Sequence, residues 1–398
     1  MEQTLYWVWL VMAFGAANPR IWELLNECGS VNEAYEKLQR NEVPLTRSMA
    51  DGVACTSLES AAELVRKCEK EDIRILTFDD KGYPSNLRSI YNPPAVLFVK
   101  GSIDDFNTEL IITVVGTRNP SPYGLKAVSS VSGELSSSGF IILSGFAAGI
   151  DSAAHRAAIQ RGGKTIAVLG CGIDVDYPKA NSDIREAVIK NGAVISEFLP
   201  GTSPLGKNFP VRNRILSGMS LGVFVAEAPI GSGALITADM AVEQGRDVFC
   251  IPPADIFDPK YQGVVKYLRD GAVPVFSHLD IIYEYYTTFS HKLSSMKPGN
   301  EFDDPVSEGS VFAEKKNIKK KSSPVPAQKN EPVCVKISYD GLSDVQISIV
   351  KSLESGQSYI DDICESTGLD ITDILAEITE LEMTGKVVSL PGKQYKLR

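Results

Sequence analysis

The chain has 398 residues, and its 40 Lys and Arg against 50 Asp and Glu give a formal charge of −10 at pH 7. One hydrophobic core rarely extends beyond about 250–300 residues, so this length predicts two or three domains. Hydrophobic residues make up 43% and charged residues 23%, proportions that exclude wholesale disorder. The acidic total argues against a nucleic-acid partner unless the cations are gathered on one surface.

The cysteines and histidines exclude several kinds of site. No two of the seven cysteines lie within four residues, so there is no CxxC pair, and a scattered odd number is typical of reduced cytoplasmic thiols. The histidines at positions 155, 278 and 291 are isolated, so we expect neither a metal nor a cofactor. The apolar stretch 5–17 is too short to span a bilayer and follows no Lys or Arg, so we expect a soluble cytoplasmic protein without a membrane partner.

Residues 1–70 have apolar side chains at helical spacing, interrupted at Asn18-Pro19 and Cys28-Gly29-Ser30. This pattern predicts a small helical domain of the SAM or helix-hairpin-helix kind.

Residues 71–290 alternate apolar runs with stretches long enough for crossover helices. From residue 110 onward the runs are continuous and β-branched, as in parallel strands covered by helices on both faces. We predict an α/β fold, an extended Rossmann-like doubly wound parallel sheet. The runs are 73–78, 96–99, 110–115, 140–143, 165–169, 193–195, 221–226 and 248–251.

Residues 291–338 contain scattered prolines and a lysine-rich run at 315–321, which predicts a flexible basic linker. Residues 339–398 recover periodicity for three helices and a hairpin, the order of a winged-helix domain.

Glycine and small polar residues follow four of the predicted strands. Ligands of an open α/β sheet bind outside the carboxyl ends of its strands, where glycine lets backbone N–H groups approach an anion. A tight turn is the simpler explanation of any single loop, whereas four such loops on one edge favour a phosphate-binding site. The predicted site residues in these loops are Gly116, Thr117, Arg118, Ser144, Gly145, Phe146, Gly149, Lys179, Gly231, Ser232 and Gly233.

The segment 206–214 adds Lys207, Phe209, Arg212 and Asn213 to the predicted site. Arginine and lysine suit phosphate, and phenylalanine can stack on an unpaired base. For Phe209 judged alone, core packing is the simpler interpretation.

For the neighbouring Arg214, an internal ion pair with Glu197 or Glu227 is as good an interpretation as a phosphate contact. Neither GxGxxG nor GxxxxGK[ST] occurs, which argues against dinucleotide and ATP sites.

The charge is unevenly distributed. Residues 108–250 hold 12 acidic and 12 basic side chains, whereas residues 340–398 hold 11 acidic and 5 basic ones. The acidic total therefore describes the C-terminal domain better than it describes the predicted site.

The central motifs resemble the DprA/Smf family, DNA-processing proteins of bacterial natural transformation. They lie at 82–87, 92–94, 115–118, 144–151, 154–155, 165–170, 177–178, 196–197, 209–215, 227–228, 232–238 and 245–246. The resemblance implies a core that binds single-stranded DNA, dimerises and delivers the strand to the RecA recombinase. It also implies that Arg118 and Lys179 belong to the basic pocket, with Lys207 and Phe209 in the segment that contacts phosphate and base.

The chain departs from the family pattern in two places. Pro252-Pro253 stands where the family has Pro-Gly, and residues 263–268 replace a Gly-x-Asn-x-Leu-Ile segment. Both departures put the dimer contact in question more than the DNA site.

The leading functional hypothesis is a non-enzymatic protein of DNA uptake that protects incoming single strands and loads RecA on them. The alternative is a LOG-like nucleoside-monophosphate phosphoribohydrolase on the same core. That enzyme needs a glutamate in the loop at 231–238, where this chain offers only the following Asp239.

We interpret Asp151 as a helix cap or a partner of the helix dipole, and His155 as a packed core residue, rather than as a catalytic pair. The third helix of the winged-helix domain carries only acidic charges, which predicts a protein partner rather than duplex DNA. Those charges are Asp370, Asp373, Glu377, Glu380 and Glu382.

Overall fold

The computed structural model describes residues 2–103, 106–107, 110–293, 342–353, 358–369, 371–384, 386–390 and 394–397. The backbone contacts divide the chain into two units, residues 1–307 and 308–398. The predicted linker lies outside the described residues from position 294 onward.

The N-terminal helices pack around the first helix, α1. α1 carries five consecutive buried residues, from Trp7 to Val11, because it contacts α3, α4 and α5 as well as the first two strands of the sheet. Ser30, Thr46 and Ser57 cap α3, α4 and α5 by accepting from a backbone N–H group three residues later. The helices are α1 Glu2–Phe14, α2 Arg20–Cys28, α3 Val31–Gln39, α4 Arg47–Cys55 and α5 Leu58–Lys70.

These helices share a hydrophobic core with the sheet. One cluster joins their buried side chains to Val96, Phe98 and Leu169. Trp7 and Trp22 also donate hydrogen bonds of 3.0 Å from their indole nitrogens to Asp79 Oδ2 and to the Pro93 carbonyl. The division into domains at residue 70 stays a prediction, although the two parts pack into one core.

The central sheet has nine described strands in the order β1-β2-β6-β5-β4-β3-β7-β8-β9. The pairs β1–β2 and β2–β6 are antiparallel and the others are parallel. The doubly wound α/β fold is confirmed, and each predicted run overlaps a strand. The strands are β1 Arg74–Thr77, β2 Val96–Gly101, β3 Leu110–Val115, β4 Phe140–Ser144, β5 Thr165–Leu169, β6 Gly192–Ser196, β7 Gly222–Val225, β8 Asp247–Cys250 and the unpredicted β9 Val273–Pro274.

Both faces of the sheet are covered by helices, which explains the continuous apolar runs. In β3, Ile112 and Val114 face the cluster that contains α7 and α8, whereas Ile111 and Val115 face the cluster that contains α10 and α11. The helices are α6 Ser85–Arg88, α7 Pro122–Ser137, α8 Ile150–Gln160, α9 Ser182–Asn191, α10 Asn208–Met219, α11 Gly233–Glu243, α12 Gln262–Arg269, α13 His278–Tyr286 and α14 Ser290–Leu293.

The C-terminal unit has the predicted three helices and hairpin, together with a short strand that sequence reasoning missed. Its sheet has the order β10-β12-β11, and Ile349, Ile363, Ile378 and Tyr395 contribute to its core. The elements are α15 Asp344–Ser352, β10 Ser358–Tyr359, α16 Ile360–Thr367, α17 Ile371–Met383, β11 Val387–Leu390 and β12 Gln394–Leu397.

No helix among the described residues is both long enough and apolar enough to cross a membrane.

His155 on α8 is completely buried, and its Nδ1 lies 2.7 Å from the hydroxyl of Thr165 on β5. Burial lowers the pKa of His155 to about 3, so the folded protein keeps the imidazole neutral. The expected packing role of His155 agrees with this position.

Because the unfolded chain protonates this histidine near pH 6.5, its contribution to stability is complete above that pH and is lost as pH falls toward 3. Between pH 7 and pH 5 we expect the native chain to lose about 2 kcal/mol more unfolding free energy than His155→Gln. Urea titrations followed by tryptophan fluorescence measure this difference, since all three tryptophans lie in the first unit. Parallel pH profiles for the two proteins would contradict it.

Candidate nucleic-acid interface

Four loops and the start of α10 lie together at the carboxyl edge of the parallel strands. The order β5-β4-β3-β7 makes the loops that follow these strands neighbours. We call this surface the rim. It comprises residues 116–120, 145–149, 170–181, 226–232 and 206–213.

The loops after β3 and β4 interlock at Gly149. Its φ is +84°, and a Cβ there would lie 2.5 Å from the Thr117 carbonyl oxygen and 2.6 Å from that of Arg118. Ile150 N–H donates to the Thr117 carbonyl at 3.2 Å. Glycine is therefore required, and it fixes the backbone that presents Arg118 at the surface.

Arg212 lies beneath the rim rather than on it, with 5% of its surface exposed. Its guanidinium donates to the Gly145 carbonyl at 2.8 Å and to the Val168 carbonyl, so it joins the loop after β4 to the end of β5. Burial lowers its pKa to about 10, which leaves it charged at neutral pH, and the nearby Asp151 opposes that shift. In the structure, Arg212 therefore links two loops and does not face solvent.

Asp151 is the buried counter-charge of Arg212. It accepts from Ala147 N–H at 3.1 Å, and burial raises the pKa of its carboxyl group. Asp151 lies in the first turn of α8, where a carboxylate suits the helix dipole, but Gly149 is the N-cap residue and no side chain caps this helix, so the dipole role is the one that agrees with the structure.

Three more predicted site residues are buried and shape the rim from below. The Ser144 hydroxyl donates to the Val114 carbonyl at 2.6 Å, and Asn213 Nδ2 donates to the Gly233 carbonyl at 3.1 Å. The ring of Phe146 is completely buried, with its centroid 5.7 Å from that of His155.

Lys179 is held in place by a residue that sequence reasoning missed. It is exposed at the start of a short 3₁₀ helix, Lys179–Asn181. The buried Asn181 donates to the carbonyls of Phe146 and Ala147 at 2.8 and 3.1 Å and accepts from the Ser152 hydroxyl at 2.7 Å. The loop after β5 is therefore fixed against the loop after β4, next to Arg118.

Phe209 is packed on one side, as the core interpretation expects, and its stacking on a base stays a prediction. Its ring centroid lies 5.7 Å from that of Tyr177, and the Arg212 guanidinium carbon lies 5.9 Å from the ring centroid. A Cβ on Gly170 would lie 2.8 Å from the ring, so glycine is needed there for the ring to pack closely. One part of Phe209 is thus packed, and the other part stays accessible.

The exposed cations of the rim differ from the buried one next to them. Arg118, Lys179 and Lys207 are exposed and form no ion pair with any residue in the described part of the chain. By contrast, Arg214 forms an ion pair with Glu197 at 2.6 Å, with side chains only 10% and 3% exposed. The internal ion-pair interpretation of Arg214 is confirmed.

A groove of about 540 Å³ opens from Arg118 toward α8. Sequence reasoning missed Asn119, Ser152 and Arg156 in its lining. The last two lie one turn apart on α8, directly after the glycine-rich loop, and this spacing was the available signal. The principal lining residues are Arg118, Asn119, Pro120, Gly149, Ser152 and Arg156.

Glu227 occupies the position where an open α/β sheet commonly binds phosphate. The strand order reverses between β3 and β7, and α7 begins there. The completely buried Glu227 carboxylate accepts from Ser121 N–H at 3.1 Å and from its hydroxyl at 2.7 Å, at the N-terminus of α7. A Cβ on Gly124 would lie 2.3 Å from Glu227 Oε2, so the side chain fills this site.

The remaining predicted site residues, Gly231, Ser232 and Gly233, lie where the loop after β7 enters α11, which Ser232 caps. Among the described residues there is no group of three or more His, Cys, Asp or Glu side chains placed to hold a metal ion.

Two family models match the chain. Residues 74–286 match the model described as DNA recombination-mediator protein A, and residues 338–393 match the DprA winged helix domain.

Relatives and solved structures agree with these models. The DNA processing protein DprA of Streptococcus pneumoniae is 46% identical over 206 residues, which cover 52% of this chain and 72% of that protein. Protein Smf of Synechocystis is 32% identical over 340 residues, 84% of this chain and 83% of that protein. The crystal structure of the pneumococcal protein superposes with a TM-score of 0.57 at 37% identity and covers 71% of this chain and 98% of that one. Since a family model spans more than half of its length, the chain belongs to the DprA/Smf family of DNA-processing proteins.

Proposed function

We propose that this chain binds single-stranded DNA along the rim and catalyses no reaction on it. The observation that carries the proposal is the set of three exposed cations, Arg118, Lys179 and Lys207, on loops that buried hydrogen bonds hold together. Phosphate groups are the ligands that such cations and the adjacent glycine-rich backbone prefer. Membership in a family of DNA-processing proteins agrees with a polynucleotide as their source.

The aromatic side chains favour a single strand over a duplex. Tyr177 and Phe209 are both partly exposed and form a pair beside the cations. Unpaired bases stack on such rings, whereas the bases of a duplex are already stacked on each other. Because nothing in the rim offers a pattern of donors and acceptors for base edges, we expect little sequence preference.

The enzyme alternative lacks the carboxylate that it needs. Asp239 lies on α11, is exposed and accepts a hydrogen bond from the Tyr267 hydroxyl. The phosphate position at the N-terminus of α7 is filled by Glu227. A mononucleotide therefore lacks the usual anion site at the switch point and a general acid beside it, which supports binding without hydrolysis.

The family resemblance supports a finer assignment, natural transformation in the cytoplasm with transfer of the strand to RecA by a homodimer. Exposed apolar side chains on α11 and in the loop after β8 support a contact with a second copy of the chain. They are Ile236, Val242, Ile256 and Phe257. The departure at Pro252-Pro253 lies in this loop and adapts the contact rather than the rim.

We assign the winged-helix domain a protein partner. Its helix α17 has no basic residue in its last turn and carries several carboxylates, so the phosphates of a DNA groove would repel it. The domain architecture 1–70, 71–290, 291–338 and 339–398 remains part of this proposal.

Replacing Arg118 or Lys179 by Glu should weaken binding to oligo-dT about tenfold or more and lower the dependence of affinity on salt, because each loses a phosphate contact. Fluorescence anisotropy at several salt concentrations measures both effects. Lys190→Glu is the matched control, since Lys190 is exposed near the start of β6, at the opposite edge of the sheet. Native affinity in Arg118→Glu and Lys179→Glu would refute the assignment.

The double variant Arg118→Glu/Lys179→Glu tests the winged-helix domain within the whole chain. With the rim disabled, we expect no salt-sensitive binding to duplex DNA, because the acidic α17 cannot enter a groove. A mobility-shift titration with a duplex of mixed sequence gives the answer. Duplex binding retained by the double variant would show that a second basic surface binds DNA and would contradict this prediction.

The enzyme alternative has its own test. The purified chain, incubated with purine and pyrimidine nucleoside monophosphates, should release no free base detectable by liquid chromatography. Release by the native chain that Asp239→Asn abolishes would establish the hydrolase instead.

A further inference from the structure

The groove beside Arg118 extends the rim in a direction that the predicted site does not include. Lys207 and Phe209 lie at the start of α10, on the face of the sheet that α10 and α11 cover. The groove instead lies on the other face, between the loop before α7 and the first turns of α8. Arg118 lines the groove and also belongs to the rim, so it stands where the two surfaces meet.

Arg156 is the cation at the far side of this groove. Its Nη2 lies 3.0 and 2.7 Å from the two carboxylate oxygens of Asp183 on α9. The two side chains are 43% and 59% exposed, and ion pairs this accessible contribute little to stability. A phosphate can therefore take the place of Asp183 without breaking a buried interaction.

The groove also has a fixed floor. The Ser152 hydroxyl lies 2.8 Å from the Ala147 carbonyl and 2.7 Å from Asn181 Oδ1, so this part of α8 is tied to the loops on both sides. Ser152 and Arg156 stand one turn apart and face the same side of the helix. The volume of about 540 Å³ falls within the range that holds a small organic molecule, which includes one nucleotide.

We propose that this groove is a second phosphate site, in which Arg156 binds a phosphodiester of the strand whose neighbouring part is held by Arg118. The inference rests on the function proposed above and gives the strand its path. It runs from Phe209 and Lys207 across the rim and then into the groove between α7 and α8. Asp183 does not line the groove, and the strand displaces it from Arg156.

Charge reversal at Arg156 tests the site in the full-length chain. We expect Arg156→Glu to weaken binding to an oligo-dT of about 20 nucleotides by about five- to tenfold and to reduce the salt slope by about one. Arg161→Glu is the matched control, because Arg161 follows α8, is exposed and also pairs with a carboxylate, Glu134, outside the groove. It should bind within about twofold of the native chain.

A second variant separates a phosphate contact from a structural pair. Asp183→Asn removes the competing carboxylate and keeps the shape of the side chain, so binding should become tighter. Equal weakening in Asp183→Asn and Arg156→Glu would mean that the pair only supports the fold, and the groove site would be wrong. The melting temperature of each variant, compared with that of the native chain, shows whether weaker binding comes from a folding defect.

The two proposals fail in different ways. If Arg156→Glu binds as well as Arg161→Glu while Arg118→Glu has lost affinity, the groove site is refuted and the rim stands. If Arg118→Glu also binds like the native chain, the proposed function itself is refuted.

Discussion

The buried guanidinium of Arg212 is the interaction on which the candidate site depends. A charge removed from water is costly unless it is paired and hydrogen-bonded, and Arg212 has both the nearby carboxylate of Asp151 and two backbone carbonyls. Those carbonyls belong to Gly145 and Val168, on neighbouring strand ends. Because the guanidinium is planar and its donors are fixed in direction, it sets the spacing of the two loops. A lysine would keep the charge and lose this geometry.

On the other side of the rim, the buried carboxylate of Glu227 fixes the loop after β3 by accepting hydrogen bonds from Ser121. Sheets of this type place an anion at the helix N-terminus beside their switch point, and here the anion is part of the chain. The positive end of the helix dipole is therefore already satisfied. What remains for a ligand is the outer surface of the loops, where Arg118 and Lys179 stand free of partners among the described residues. A polynucleotide backbone that crosses several loops suits this surface better than one nucleotide in a crevice.

The division between buried and exposed charges explains why the total charge argued against a nucleic-acid partner. In the α/β region, Asp151, Glu197 and Glu227 are buried and neutralised by arginine, by backbone amides or by a helix terminus. They count fully in the sum of charges and yet contribute little to the potential outside the protein. The formal charge of −10 thus combines interior carboxylates, an acidic winged-helix domain and a rim on which the exposed Arg118, Lys179 and Lys207 outnumber the exposed Asp174 and Asp176. The affinity for phosphate that we propose depends on the exposed cations of the rim.

The strands could be predicted from apolar periodicity and β-branched residues, and the loops at their common edge from glycines placed where the backbone makes a close approach. The sequence alone could not show which cations are exposed to solvent. Arg212 and Lys207 stand five residues apart in one segment, and only the packing of α10 against the ends of β4 and β5 decides that the first is enclosed and the second exposed. The groove was missed for a related reason. The helical spacing of Ser152 and Arg156 is visible in the sequence, but Arg118 belongs to a different segment and meets them only once the loop after β3 has packed against the start of α8.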